Sequence, residues 1–277
     1  MALVPFPQKN ALQKREPDWD DSDESLDESG KMSFLEHLDE LRKRIIWSLG
    51  GVLVGMGLAA FFLERIFRFV MEPLQRVLPN NQHLIQTEPT EMFGVYIKIL
   101  FIAGLLLASP IVMTQVWLFI APGLYSHEKK LAIPFVLMSS VFFVGGAAFS
   151  HYVVFPMTWN FFVHLPPPDL VAYTPRVDPS FGIYLKLLVA FGVVFQMPTV
   201  VLFLAKMGMI TPRFMIRQFK YAVLAIFIIA AVVTPDGSMI TQTAMAGPMI
   251  LLYLFSILLA WLFGKKREPV EESEEPS

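Results

Sequence analysis

Six runs of apolar residues, most of them long enough to cross a lipid bilayer, constrain this chain more than any other feature. A helix needs about 20 predominantly apolar residues to span about 30 Å of hydrocarbon. The runs cover residues 45–63, 92–121, 131–159, 181–205, 221–233 and 244–263. Only 17% of the 277 residues are charged, whereas soluble domains average about 25%. The sequence therefore predicts an all-α integral membrane protein with six transmembrane helices.

The last two runs depart from an ordinary span. The fifth has only 13 residues, which is about 20 Å at 1.5 Å per residue. The sixth is interrupted by Gly247 and Pro248. We interpret the two runs as a hairpin that either thins the bilayer locally or leans on its neighbours.

Prolines and glycines inside the runs predict the shape of the helices and their packing. Gly51 and Gly55 in the first run, and Gly145 and Gly146 in the third, predict close helix contacts inside the fold rather than at a dimer face. Five prolines predict kinked helices in a curved bundle, unless they only reflect the general frequency of proline in membrane helices. They are Pro110, Pro134, Pro156, Pro198 and Pro248.

The distribution of basic residues predicts which way the spans face, because lysine and arginine concentrate in cytoplasmic segments. With both termini cytoplasmic, thirteen basic residues fall on the cytoplasmic side and four on the opposite side. The thirteen are Lys31, Arg42, Lys43, Arg44, Lys129, Lys130, Lys206, Arg213, Arg217, Lys220, Lys265, Lys266 and Arg267. The four are Arg65, Arg68, Arg76 and Arg176. A chain with five spans would place the last three basic residues outside and break this pattern.

Acidic residues crowd both ends of the chain. Residues 16–28 hold eight carboxylates and residues 268–275 hold five, a composition typical of solvated, disordered tails. Ser33 and Glu36 form a capping box, which predicts a helix that runs into the first span. We therefore divide the chain into an acidic cytoplasmic tail (1–32), a membrane domain (33–264) and a charged cytoplasmic tail (265–277).

The sequence lacks the motifs of common catalytic and energy-transducing sites. It contains no cysteine, which excludes thiolate metal sites and a cysteine nucleophile. Lys265 is followed by Lys266 rather than Ser or Thr, without an upstream glycine-rich loop, so the Walker pattern fails. His127 and Glu128 begin like a zinc-binding helix, but Leu131 occupies the position of the second histidine. We predict no enzymatic activity, no cofactor, no metal and no nucleic-acid partner.

Carboxylates near the first span allow two interpretations. Glu40 and Arg44 have the i,i+4 spacing of a solvated, salt-bridged helix face. Alternatively, carboxylates held at the membrane surface form a receptor for a basic peptide, because an arginine guanidinium binds a carboxylate through two parallel hydrogen bonds. Glu128 could join such a receptor.

Two segments closely resemble the TatC family, the multispanning receptor of the twin-arginine protein translocase. They are HLDELRKR at residues 37–44 and QVWLFIAPGLYSHEKK at residues 115–130. Shorter matches are Glu72-Pro73-Leu74, Val154-Phe155-Pro156, Phe191-Gly192, Thr234-Pro235-Asp236 and Thr241-Gln242-Thr243. The resemblance covers about residues 33–264.

The resemblance implies a cupped six-helix bundle in the bacterial inner membrane with both termini in the cytoplasm. It implies that folded precursors are exported by means of the proton gradient, in homo- and hetero-oligomers with single-span subunits of the TatA and TatB type. The implied binding site for twin-arginine signal peptides consists of Glu40, Arg42, Phe119 and Glu128. The implied positions for partner docking or structure are Pro73, Gln196, Thr234, Asp236 and Gln242.

The fourth run departs from the family pattern. It has Phe195-Gln196-Met197-Pro198 where many members have glutamate in a Phe-Glu-x-Pro context, which argues against a mechanism that needs a titrating carboxylate there. An unpaired amide in hydrocarbon costs about 1–3 kcal/mol. We expect Gln196 either to face the concave side of the bundle or a water-filled recess, or to bond to the carbonyl freed by Pro198.

Two other functions are compatible with six spans: a proton-coupled secondary transporter of a small solute, and a scaffold without transport activity. Secondary transporters often show internal repeats and ionisable groups near the midplane. This chain shows no obvious repeat, and Lys98 and Lys186 lie near span ends, where they can snorkel. Binding of a peptide with two consecutive arginines followed by an apolar run would distinguish the three functions.

Overall fold

The computed structural model describes residues 34–78, 84–120, 132–165, 174–234 and 238–264. Regular structure in these residues is helical, apart from an isolated parallel bridge between Ile85 and Arg176. The helices are α1 (Phe34–Ala60), α2 (Leu63–Val77), α3 (Glu91–Leu107), α4 (Ser109–Ile120), α5 (Ala132–Phe149), α6 (Phe155–His164), α7 (Val177–Val194), α8 (Met197–Lys206), α9 (Pro212–Arg217), α10 (Phe219–Val233) and α11 (Met239–Phe263). A π-helical turn, Ser150–Val154, joins α5 to α6. The prediction of an all-α protein is confirmed.

The chain forms two compact units, Met1–Arg42 and Lys43–Ser277. The described part of the first unit consists of the opening turns of α1. Glu36 lies in the first of these turns, where a carboxylate interacts favourably with the helix dipole. Its predicted capping partner, Ser33, lies outside the described residues.

All six predicted apolar runs lie in the second unit, and each coincides with one or more helices of the described residues. Four helical segments are long and apolar enough to cross a membrane: Leu35–Ala60, Ile133–His164, Val177–Lys206 and Met239–Phe263. A fifth span results if α3 and α4, which meet at a 61° bend, are counted together. The remaining predicted run corresponds to α10, whose 15 residues extend about 22 Å.

Most of the predicted prolines mark a helix start or a break. Pro110 lies in the first turn of α4, just after the 61° bend, and Pro134 lies in the first turn of α5. Pro156 follows the π-helical turn, and Pro198 is the second residue of α8. Pro248 is different, because α11 continues through it without a break. The predicted interruption of the last span is therefore wrong, and neighbouring helices make an internal proline tolerable in a membrane.

The apolar runs did not predict α2. One side of this helix is buried against α3 and α6, with Leu74 only 1% exposed. The other side carries two i,i+4 ion pairs, Glu64 with Arg68 (2.8 Å) and Glu72 with Arg76 (2.5 Å). A helix with a single apolar face lies at a surface rather than across a bilayer. The first predicted span accordingly ends at Ala60 and not at residue 63.

Glycines allow the closest helix contacts in the second unit. A Cβ atom on Gly55 of α1 would lie 2.5 Å from the carbonyl oxygen of Gly104 in α3. A Cβ atom on Gly146 of α5 would lie 2.5 Å from the carbonyl oxygen of Phe191 in α7. No neighbour lies within 4 Å of such an atom on Gly145. Internal contact, as predicted, is thus confirmed at Gly55 and Gly146.

The core is centred on α7, which packs against α3 and α5. Leu187 and Phe191 of this helix are completely buried. Phe181 and Tyr184 extend the buried face toward its beginning, and Phe155 of α6 packs edge-on against the Tyr184 ring. This core fixes the break between α7 and α8, at which Gln196 lies.

Candidate functional site

The residues predicted to bind a signal peptide lie in separate parts of the chain. Glu40 is half-buried and Arg42 is exposed on the opening turns of α1. Phe119 is half-buried at the last turn of α4. Glu128 lies outside the described residues. The assembly of these four side chains into one site stays a prediction.

The α4 segment that carries Phe119 is tied to its neighbours by polar contacts. Arg44 Nη1 of α1 donates a hydrogen bond to Gln115 Oε1 (3.4 Å). The indole Nε1 of Trp117 donates to the hydroxyl of Ser139 in α5 (2.9 Å). Since an unpaired buried donor costs about 1–3 kcal/mol, these bonds favour one orientation of α4.

Aromatic packing strengthens this attachment. The Trp117 ring stacks on Phe135 of α5, with ring centroids 5.1 Å apart, and meets Phe203 of α8 edge-on at 4.8 Å. Phe135 and Phe203 also contact each other edge-on at 5.5 Å. Aromatic pairs of this kind contribute about 0.5–1.5 kcal/mol beyond their buried area. The end of α4 is therefore held against both α5 and α8.

Gln196 occupies the break between α7 and α8 and is half-buried. Its amide Nε2 donates to the carbonyl oxygen of Ser139 in α5 (3.1 Å), with a longer contact to the carbonyl of Gly192 (3.5 Å). The carbonyl freed by Pro198, that of Val194, is not its partner. The predicted need for a hydrogen-bonding partner is met by a neighbouring helix.

Two of the predicted docking positions form hydrogen bonds with carbonyl groups of α10. Gln242 of α11 donates from Nε2 to the carbonyl oxygen of Phe227 in α10 (2.8 Å). Thr234, which follows α10 and is 6% exposed, donates from its hydroxyl to the carbonyl of Ala230 (2.9 Å). Asp236 lies outside the described residues. The pairing of these two helices agrees with the predicted hairpin.

A family model, curated relatives and solved structures all show a similarity to the same family. A family model described as "Sec-independent protein translocase protein (TatC)" matches residues 36–248. Proteins named TatC from Koribacter versatilis and Aquifex aeolicus are each 40% identical to this chain. The first alignment covers 88% of this chain and 92% of the relative, and the second covers 87% and 100%. A crystal structure titled "Twin Arginine Translocase Receptor- TatC" superimposes with a TM-score of 0.71 at 40% identity, over 82% of this chain and 99% of that one.

The chain belongs to the TatC family. It is a multi-pass membrane protein and a component of a protein translocase, with the all-α, six-span fold that the sequence predicted. Among the described residues, no group of His, Asp and Glu side chains is placed to hold a metal ion.

Pro73, a position implied by the TatC resemblance, is a buried residue inside α2. Pro73 lies between the first two predicted apolar runs, and the structure places it in a helix that packs on α3 and α6. Its neighbour Leu74 is buried in the same contact. A structural role for Pro73 therefore agrees better with its burial than direct contact with a partner.

Sequence reasoning missed Glu91, the first residue of α3. Its Oε1 accepts the backbone N–H of Asp178 near the start of α7 (2.9 Å). Its Oε2 accepts the backbone N–H groups of Thr87 (2.9 Å) and Glu88 (3.4 Å) and the Thr87 hydroxyl (3.3 Å). These hydrogen bonds lower the pKa of Glu91 from 4.5 to about 2, and the bond from the Asp178 N–H has the largest effect. The only sequence signal was a carboxylate directly before an apolar run.

Two further contacts join the same ends of α3 and α7. Around the Ile85–Arg176 bridge, the N–H of Ile85 donates to Pro175 O (3.1 Å) and that of Val177 donates to Ile85 O (3.2 Å). The ammonium of Lys98 in α3 forms an ion pair with Asp178. The prediction that Lys98 snorkels is thus replaced by a specific pairing.

Proposed function

We propose that this TatC protein is the receptor subunit that binds twin-arginine signal peptides of folded precursors at the cytoplasmic face of the bacterial inner membrane. The observation that carries the proposal is the likeness to the crystallised twin-arginine translocase receptor, which extends over 99% of that chain. A likeness of this extent favours a protein-transport role over transport of a small solute.

The residue types at the proposed site suit such a ligand. Glu40 and Glu128 supply carboxylates, which bind guanidinium groups through charge-assisted hydrogen bonds. Phe119 supplies an apolar ring for the hydrophobic part of the peptide. The ring lies at the end of α4 that the Trp117 contacts hold in place, so little ordering is needed on binding.

The proposal includes both termini in the cytoplasm, supported by the thirteen-to-four distribution of basic residues. It also includes single-span partner subunits of the TatA and TatB type, which dock near α10 and α11. Gln242 acts by orienting these helices, since it joins α11 to the Phe227 carbonyl of α10, whereas Thr234 bonds to Ala230 at the end of its own helix. Export is driven by the proton gradient, in agreement with the missing nucleotide motif.

The test is capture of a signal peptide by receptors with one carboxylate removed. A photo-crosslinkable twin-arginine peptide is added to membranes that contain Glu40→Gln or Glu128→Gln. Loss of one charge-assisted hydrogen bond costs about 1.5–3 kcal/mol, or roughly 10- to 150-fold in affinity. Glu64→Gln is the matched control, because Glu64 is an exposed carboxylate that pairs with Arg68 on the predicted opposite face.

A peptide whose two arginines are replaced by lysines should bind weakly to the unchanged receptor and lose little more affinity in either variant. If Glu40 only belonged to a solvated salt-bridged face, removal of its charge would change stability by at most about 1 kcal/mol and leave binding unchanged. Equal capture by both variants and by the Glu64→Gln control would therefore refute the proposed site.

A further inference from the structure

A chain of hydrogen bonds runs through three elements and begins two residues before Phe119. Trp117 Nε1 of α4 donates to Ser139 Oγ of α5 (2.9 Å), and Gln196 Nε2 donates to the carbonyl oxygen of the same serine (3.1 Å). Trp117 is 6% exposed and Ser139 is 2% exposed. We propose that Trp117 and Ser139 are positioning residues that couple the end of α4 carrying Phe119 to the break in the fourth span at Gln196. The inference rests on the proposed function, since it takes Phe119 as part of the peptide site.

The hydroxyl of Ser139 is used differently from that of its neighbour. Ser140 Oγ donates to the carbonyl of Val136 in its own helix (2.8 Å), which is the usual arrangement for a helical serine. Ser139 Oγ instead accepts a bond from another helix. The Ser139 hydroxyl thus joins α5 to α4, whereas the Ser140 hydroxyl bonds within α5.

The break at Gln196 is a place where small movements are possible. Helix α7 ends at Val194 and α8 begins at Met197, and Pro198 removes a backbone donor that would join them. The Gln196 amide ties this junction to α5 instead. A displacement at Phe119 reaches Trp117, two residues earlier in the same helix, and from there Ser139 and Gln196.

A second contact runs in parallel with this chain. The Trp117 ring meets Phe203 of α8 at 4.8 Å. Helix α4 therefore contacts α8, which follows the break, as well as α5, which is bonded to Gln196 at the break. Substitution of Trp117 by phenylalanine removes the N–H donor and makes the ring smaller. Ser139→Ala removes the acceptor and leaves the Trp117 ring intact, so this second variant tests the hydrogen bond apart from the ring packing.

The coupling predicts that peptide binding and export respond differently to the same substitution. We would compare Trp117→Phe and Ser139→Ala in membrane vesicles that contain the full translocase. Signal-peptide affinity and export rate are measured at equal receptor amounts. Export should fall about tenfold, the effect of one lost neutral hydrogen bond, while peptide affinity stays within about twofold. Matched controls are Trp261→Phe, 70% exposed on α11, and Ser140→Ala.

A double substitution distinguishes coupling from two independent defects. If Trp117 acts through Gln196, Trp117→Phe combined with Gln196→Leu should reduce export no further than the more severe single variant. Independent effects would multiply, to about a hundredfold if each single variant loses tenfold. Where Trp117→Phe accumulates poorly, the same cycle is run with Ser139→Ala.

The inference would be overturned if the export defects of Trp117→Phe and Gln196→Leu multiplied in the double variant. It would also be overturned if Trp117→Phe and Ser139→Ala exported as well as the two controls. A parallel loss of affinity and export would also overturn it, because Trp117 would then only shape the peptide site. Failure of the proposed function itself has a different signature: Phe119→Ala would leave peptide affinity unchanged.

Discussion

Substitution of Gly55 by alanine should destabilise this protein by a predictable amount. The new Cβ atom would lie 2.5 Å from the Gly104 carbonyl oxygen and 3.0 Å from the Gly104 Cα atom, whereas ordinary van der Waals contact begins at 3.4 Å. Both nearest atoms belong to backbone, so α1 and α3 must separate by about 0.9 Å. Overpacking of this kind costs about 1–3 kcal/mol.

The same helix offers a matched control. Gly57 is exposed and has no neighbour within 4 Å of a Cβ atom, so Gly57→Ala should be neutral or stabilise by up to about 1 kcal/mol through helix propensity. The measurement is the thermal midpoint of the purified protein in detergent, followed by size-exclusion chromatography after heating. Gly104→Ala should resemble Gly55→Ala, since its Cβ atom would lie 2.7 Å from the Met56 nitrogen. Equal midpoints for Gly55→Ala and Gly57→Ala would refute the close contact.

Three further predictions concern topology, pH and the fourth span. The chain has no cysteine, so Ile216→Cys, 61% exposed, should be labelled by an impermeant maleimide only from the cytoplasm, and Glu88→Cys only from the other side; labelling of Glu88→Cys from the cytoplasm would exclude the six-span orientation. The pKa of Glu91 is lowered from 4.5 to about 2, so its stabilising contribution is complete above pH 4.5 and is lost as the pH falls toward 2. The Glu91→Gln variant should unfold at a lower temperature than the unchanged protein at neutral pH, and its stability should no longer fall with the protonation of Glu91. Melting curves of the two proteins that coincide at pH 7 would contradict this prediction. Gln196→Leu should impair export at normal accumulation, whereas Gln196→Glu, protonated in a buried site, should keep a donor for Ser139 and retain most export. Full export by the leucine variant would show that the hydrogen bond is dispensable.

The spans were predictable because bilayer thickness sets a length that few other structures imitate. A criterion of apolar length did not detect α2, because charged residues such as Glu64 and Arg68 on its exposed face lower the mean hydropathy. Its other face is nevertheless buried. It also treated Gly247 and Pro248 as an interruption, because a local rule for proline does not include the neighbours that stabilise α11. Segment type was thus accessible from the sequence, and segment boundaries depended on packing.

The partners of polar residues were less accessible than the residues themselves. The sequence showed that Gln196 needs a hydrogen-bonding partner, but the carbonyl that serves, that of Ser139, lies 57 residues away. Glu91 and Asp178 are 87 residues apart, and nothing in either local pattern points to the other. Only the packing of α3 and α5 against α7 brings these groups within hydrogen-bond distance.

The contacts between the starts of α3 and α7 also resist separation of these two helices. The chain from Ile85 to Arg176 is a closed loop containing two spans, and its ends are held by the bridge, by Glu91 and by the pair of Lys98 with Asp178. To separate the helices at this end, all of these bonds must break together. Loss of a single one of these bonds, such as that from Asp178 to Glu91, therefore weakens this end without opening it.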